Sequence, residues 1–352
     1  MSHLRQDALH YLSLINRLFM TVFGFITVVN VLGCSVTPHQ SDNQSPSQSA
    51  TAPILHNAYD YLLLNAQTQQ PVSVAQLAKQ LKNVDVIFIG EYHGNHASHL
   101  LQAQLQTLLY QQTPNQILSM EQFNRDQQAV LNQYLDNEVG EAYLINEAPA
   151  WENYAGSYRP LVEFAKQHFL PVIAANAPAD TVRCIGRYGG AYLEKLTHQE
   201  AQLLAQQPLA DVDGYRQLFM GFLNGSSHFD DAKANSSYLA QLSRDNTMAE
   251  SILNALKTNP GAQVIHTNGA FHSNYGLGTV GALKRLDPSL TIKIISPEHV
   301  SPDQPMQFLP EALTKGDYIY LVQTQPQKYQ NAQYRQQAFK RMFKKADAKP
   351  CR

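Results

Sequence analysis

With 352 residues, 44% of them hydrophobic and only 15% charged, the chain can hold one large or two ordinary domains with a substantial core, which excludes disorder as its overall state. A formal charge of −2 leaves the body mildly acidic, which excludes a nucleic-acid-binding core, because that needs a basic face on the folded part.

The first residues read as a targeting segment. Arg5 and Arg17 precede the apolar run Leu18–Leu32, too short and too promptly ended for a comfortable membrane span. It closes on Val31-Leu32-Gly33-Cys34, which resembles the lipobox of bacterial lipoproteins. That resemblance implies a signal peptide over 1–33 and a diacylglycerol on Cys34. Ser35 after the cysteine implies sorting to the outer membrane. Residues 34–53 are polar and rich in Ser, Gln and Pro, the composition of a flexible tether.

Regular patterning begins at Tyr59. Ser73 is placed to cap a helix over 74–82. The apolar run Val84, Val86, Ile87, Phe88, Ile89 is continuous enough for a strand covered on both faces. It breaks at Gly90 and delivers Glu91, His93, His96 and His99 just before a helical pattern resumes. A buried strand ending in ionisable side chains where a helix starts is the ligand crevice of an open α/β sheet. Further strands are expected over 117–123, ending in Glu121, over 170–176, ending in Asn176, and over 263–268, 290–296 and 317–324. Between 177 and 258 the patterns are helical, with Thr197 and Glu200 forming a capping box. The expected fold is therefore α/β, a parallel β-sheet flanked by helices, over 54–176 and 259–325, with a smaller inserted α-helical domain over 177–258.

The terminal segment 326–352 is basic: Lys328, Arg335, Lys340, Arg341, Lys344, Lys345, Lys349 and Arg352 stand against Asp347. Its charge suits anionic headgroups, but a solvated, frayed terminus is the stronger reading. With Cys34 lipidated, Cys184 and Cys351 remain, and nothing in the sequence argues for a bridge between them.

Four strand ends bring polar groups to one edge: Glu91 and His93, Glu121, Asn176, and His266, Asn268 and His272. Buried ionisable groups are costly unless paired, so their convergence points to a polar pocket. His96 and His99 lie three apart with His93 a turn earlier, which suits a shared metal, yet no His-Glu-x-x-His or cysteine cluster supports one. Gly276-Leu-Gly-Thr-Val-Gly281 matches G-x-G-x-x-G, but its first glycine lies too far beyond the strand for a dinucleotide fingerprint, so it reads as a glycine-rich turn. No nucleophile elbow is present. Residues 150–160 hold Trp151, Tyr154 and Tyr158. A phenolate is a hard donor for ferric iron and aromatic walls suit a flat macrocycle, although such a stretch alone is more often loop packing.

GEYHGNHASH at 90–99, SMEQFNRDQQ at 119–128, the W-Y-YRP run at 151–160, PVIAANAP at 171–178, RDNTMAESI at 244–252 and TNGAFH at 267–272 together resemble the ChaN-like haem-binding lipoprotein family. That resemblance implies a parallel sheet with a small helical domain. It also implies a ferric haem held at a homodimer interface, face to face with the partner's haem. One tyrosine would ligate each iron, Tyr158 in preference to Tyr154 because it leads the YRP element. A histidine and a lysine from the other subunit would meet the propionates, with His93 or His96 and Lys166 or Lys233 as candidates, and Glu91, Glu121 and His272 would line the pocket. The implied role is haem and iron uptake without turnover, at the periplasmic face of the outer membrane beside a haem receptor. A distant similarity of Gly-Glu-x-His to metal-dependent hydrolases keeps open a lipid-anchored hydrolase using Glu91, His93, Glu121 and His272.

Overall fold

In the computed structural model, residues 55–149, 151–224, 231–301 and 310–351 are described. The expected signal peptide, Cys34 and tether lie outside them. Every described strand and core cluster falls within the single compact unit from Thr51 onward, so that unit carries a complete core of its own.

The chain runs β1 (Tyr61–Asn65), α1 (Val74–Gln80), β2 (Val86–Glu91), α2 (His96–Tyr110), β3 (Gln116–Asn124), α3 (Gln128–Leu135), α4 (Glu141–Glu147), α5 (Tyr154–Ser157), α6 (Arg159–Gln167) and β4 (Val172–Asn176). It continues through α7 (Ala179–Tyr188), α8 (His198–Gln202), α9 (Tyr215–Asn224), α10 (Asp231–Thr258), β5 (Gln263–Gly269), α11 (Gly278–Leu286), β6 (Ile292–Val300), β7 (Tyr318–Gln323) and α12 (Ala332–Asp347). The strands form one sheet in the order β1-β7-β6-β2-β5-β3-β4. All neighbours are parallel except β1 with β7, so the α/β, mostly parallel sheet read from the pattern is the observed fold.

β2 lies at the centre, paired with β5 and β6, and all six of its residues are buried. That is why its sequence is a solid apolar run rather than an alternation. On one face Ile87 and Ile89 pack under Leu77 of α1, Leu81 just after it, and Leu101, Leu105 and Leu109 of α2. Each such leucine contributes roughly 1.5–3 kcal/mol of burial. On the other face Val86 and Phe88 meet Ala249, Ile252 and Leu253 of α10 and Val280 and Leu283 of α11. The helix starts follow their caps: Ser73 and Gln76 form a capping box on α1, and the Asn95 side chain accepts from Ser98 N–H at the head of α2.

Among the described residues the stretch between β4 and β5 holds only helices and turns. Its longest, α10, has 28 residues and spans about 42 Å. The first half packs against α9 through Tyr215, Phe219, Tyr238 and Leu242, while the second half lies on the sheet. The helical stretch is thus built into the flank of the sheet over part of its length.

The C-terminal segment differs from the frayed tail its composition suggests. It forms α12, and Cys351 is disulfide-bonded to Cys184 of α7. Arg187 donates to the carbonyl of Ala346 and Arg183 to that of Lys349, two cations at the carbonyl end of α12 where the helix dipole favours them.

Candidate functional site

The parallel strands end together, and two buried carboxylates mark that edge. Glu91, the last residue of β2, is 1% exposed. Its Oε1 accepts from the Tyr158 hydroxyl at 2.5 Å and from His93 Nδ1 at 2.8 Å. Its Oε2 accepts from Gln102 Nε2 at 2.7 Å. The same Gln102 accepts through Oε1 from His99 Nδ1 at 3.0 Å, which sets the proton of that ring on Nδ1. Burial alone would raise the Glu91 pKa, but the hydrogen bond from His93 and the nearby charge of His99 outweigh it, with Tyr158 adding to them, and hold the carboxyl below its ordinary range.

Glu121 of β3 forms the second centre. Its Oε2 accepts from Gly269 N–H at 2.6 Å, and its Oε1 lies 3.4 Å from His272 Nε2. His272 Nδ1 lies 2.7 Å from Asp245 Oδ1 of α10, so the ring is held between two carboxylates. Burial acts to lower the His272 pKa, and Glu121 and Asp245 reverse this and lift it to about 10. The imidazolium is therefore the resting form. Asp245 also accepts from Thr279 at 2.7 Å and from Tyr215 at 2.8 Å, so its charge is fully hydrogen-bonded, as a buried carboxylate must be.

Between the two centres sits His93, whose side chain is 46% exposed. Burial pulls its pKa down, but Glu91 and Glu121 prevail and raise it. Gly269 makes room for the ring: a Cβ there would come within 2.7 Å of His93 Nε2. Trp151 packs edge-on to His93 and to Tyr158, at 4.9 and 5.8 Å between ring centres. Arg244 of α10 feels the charges of Glu121 and Asp245, yet makes no ion pair or hydrogen bond among the described residues.

The structure thus gathers Glu91, His93, Glu121 and His272 at one edge, together with Tyr158. His96 is not among them: it is exposed and stacks on Tyr59 at 5.2 Å. Tyr154 points into the core beside Phe123, and its hydroxyl has no partner. Tyr158 has no exposed surface, and burial with Glu91 beside it pushes its phenol pKa far up. His266 lies beneath the network, bonded to Ser119 and driven down to about 3 by burial, a neutral core histidine. Asn176 holds the Glu121 carbonyl. Among the described residues no three His, Cys, Asp or Glu side chains are arranged to hold a metal ion.

The glycine-rich turn has its own explanation. Gly276 and Gly278 have φ of +70° and +54°, and a Cβ on Gly278 would meet the His272 carbonyl oxygen at 2.6 Å. The glycines let the backbone bring His272 against Asp245 and start α11; their spacing serves packing.

Residues that sequence reading missed are Gln102, Asp245, Tyr215 and Thr279. Asp245 sits in the run Ser243–Thr247, polar residues in mid-helix that read as a solvated face, yet most of them are buried. A polar run inside a long helix with no charged partner four residues away was the available signal.

A second surface adjoins the network through the turn 270–272. Phe271 packs on Tyr215 at 5.8 Å and on Phe222 at 5.4 Å. An open concavity of about 560 Å³ is lined by Leu218, Phe222, Phe271, Asn274, Tyr275 and Lys315, among others. Phe222 is 70% and Tyr275 40% exposed. Tyr275 has φ +63°, a left-handed conformation that costs a tyrosine on the order of 1 kcal/mol or more.

An open, mostly parallel α/β sheet with helices on both faces and a carboxylate–imidazole network at its strand ends defines the class of protein. Residues 77–283, more than half of the chain, match the family model described as haem-binding uptake, Tiki superfamily, ChaN; the chain belongs to that family. The fold is similar to that of ChaN of Campylobacter jejuni, described for cofacial heme binding, at 15% identity and TM-score 0.56, covering 77% of this chain and 100% of that one. An erythromycin esterase in its open conformation aligns at 13% identity and TM-score 0.44, over 77% of this chain and 99% of that one. A succinoglycan biosynthesis protein aligns at 15% identity and TM-score 0.40, over 71% and 73%. No curated protein matches the sequence.

Proposed function

We propose that this chain binds ferric haem for its uptake, with the macrocycle on the Phe222/Phe271 surface and a tyrosine as iron donor. Membership in a haem-binding family supports the ligand, and the open aromatic concavity with Tyr275 at its rim carries the placement. A flat apolar ring needs aromatic walls open to one side, and ferric iron favours a phenolate. Tyr275 is the tyrosine of that surface with an exposed side chain. Haem, when bound, would supply a ferric centre for cargo rather than for turnover. Lys315, which pairs with Glu298, stands at the rim as a cation for a propionate.

The fit of Tyr158 and Tyr154 is poorer. Tyr158 would have to leave Glu91 and come to the surface, and Tyr154 would have to leave the core. The lipobox at Cys34 supports a lipid-anchored body at the periplasmic face of the outer membrane, and the family's ligand supports a haem-linked homodimer delivering to or from a receptor there. The exposed His93, oriented by Glu91, supports a second reading, a hydrolase in which His93 is the base.

Hemin titration of the Thr51–Arg352 unit, followed by absorption spectroscopy and sedimentation, tests these readings. A saturable ferric-tyrosinate spectrum is expected, lost in Tyr275→Phe and kept in Tyr154→Phe. Loss in Tyr158→Phe with retention in Tyr275→Phe would move the iron to the buried pocket. With no saturable spectrum the haem reading fails, and ester hydrolysis abolished by His93→Ala would establish its rival.

A further inference from the structure

Among the residues of helix α12 whose side chains are described, none is buried. Sixteen residues of isolated helix are marginal in water, because the helix gains most of its stability by packing an apolar face. Among the described side chains its carboxyl end is fixed by Arg187, Arg183 and the Cys184–Cys351 disulfide. Large apolar side chains nevertheless project from it: Tyr334 is 65%, Phe339 48% and Met342 54% exposed. At 100° per residue Tyr334, Ala338, Phe339 and Met342 fall on one side of the helix. The segment of Lys328 and Tyr329 lies alongside Ala338, Phe339 and Met342, forming one shallow groove of about 550 Å³.

Charge decides what covers this side. From Pro326 onward the chain carries eight of its 26 Lys and Arg but one of its 28 Asp and Glu. On α12 itself Lys340 and Lys344 occupy the opposite side, Arg341 and Lys345 stand at the Tyr334 edge of the apolar stripe, and Arg335 lies between Met342 and Phe339, lining the same groove. A second copy of this helix would bring like charges together at the contact. An apolar stripe edged by Lys and Arg is instead the pattern of a helix lying in the plane of an anionic bilayer, apolar side down and cations at the phosphates.

We propose that α12 is a membrane-surface helix that seats the C-terminal end of the body on an anionic phospholipid bilayer. It acts independently of the N-terminal lipid and does not rest on the haem reading. The disulfide and the two arginines fix the carboxyl end of α12 against α7, so the body follows the helix onto the surface.

The test uses the Thr51–Arg352 unit, which lacks the N-terminal apolar run, and co-sedimentation with vesicles. Phosphatidylcholine vesicles containing about one-third phosphatidylglycerol are compared with phosphatidylcholine alone, at low and at ~0.5 M salt. Binding is expected to the anionic vesicles only and to weaken with salt. Since each basic side chain near the surface changes affinity about fivefold, the combined variant Lys340→Glu, Lys344→Glu, Lys345→Glu should bind at least ~100-fold more weakly. Phe339→Ser with Met342→Ser should also release the protein at unchanged melting temperature, because these side chains are exposed. Equal binding to neutral vesicles, retention by the charge-reversed variant, or no binding at all would overturn the proposal. So would sedimentation showing a lipid-free dimer that the Phe339/Met342 variant dissolves.

Discussion

Tyr158 donates its phenolic proton to Glu91 across 2.5 Å, tying the α5–α6 junction to the end of the central strand. The bond is charge-assisted and buried, so its loss is felt. Tyr158→Phe is expected to cost about 1.5–3 kcal/mol, measured by urea unfolding. Glu91→Gln should cost more, because its amide would face Tyr158, His93 and Gln102 with too few acceptors. A change below ~0.5 kcal/mol in both variants would show that the network does not stabilise this edge.

Stability should fall with alkali. His272 carries a folded-state pKa raised to about 10, against about 6.5 in the unfolded chain. Its contribution is fully present below the unfolded value and is lost as pH rises through the folded one, so the decline spans about pH 6.5 to 10. Unfolding midpoints measured across that range should drop in the wild type, and the drop should flatten in His272→Gln. An equal slope in both proteins would remove His272 as its source.

Two glycines at the site should respond differently to alanine. At Gly269 the new methyl meets the tip of His93, a half-exposed side chain that can swing away, so stability should change by less than ~1 kcal/mol. The ring then leaves Glu91 and Glu121, and its pKa, read by NMR titration, should fall back toward about 6.5. At Gly278 the methyl meets the backbone carbonyl of His272 at 2.6 Å, with φ at +54°. Neither can yield, so Gly278→Ala should destabilise by more than ~2 kcal/mol. Similar effects at both sites would contradict this reading.

The Cys184–Cys351 bridge closes 167 residues. Replacing both cysteines with serine should lower stability by about 2–4 kcal/mol, mainly by freeing the unfolded chain. Limited proteolysis should then cut between Gln323 and α12 faster than in the oxidised wild type. Unchanged cleavage would mean that Arg183 and Arg187 hold the segment unaided.

The parts of the fold legible in the sequence are those whose pattern follows directly from burial. β2 announces itself as an apolar run because both of its faces are covered, β3 and β5 open on the apolar pairs Ile117-Leu118 and Val264-Ile265, and Ser73 and Thr197 announce α1 and α8 because capping is a local interaction. β1 was not visible: its five residues, Tyr61–Asn65, sit on the sheet edge and are defined by pairing with β7, some 250 residues away. At the site, Glu91, His93, Glu121 and His272 were legible because each lies near the carboxyl end of a strand or just after it. Their partners Gln102 and Asp245 come from helix interiors, where a polar residue looks solvated until the tertiary neighbour is known. The pairing of Cys184 with Cys351 was equally opaque, since it depends on where α12 leads the chain.

Phe271 and His272 are consecutive, with their Cα atoms about 3.8 Å apart across a trans peptide. One faces the aromatic concavity and the other is gripped by Glu121 and Asp245. The backbone that presents Phe271 to the open surface is therefore anchored one residue later by a charged clasp joining strand to helix, so the aromatic wall inherits its position from the buried ion network.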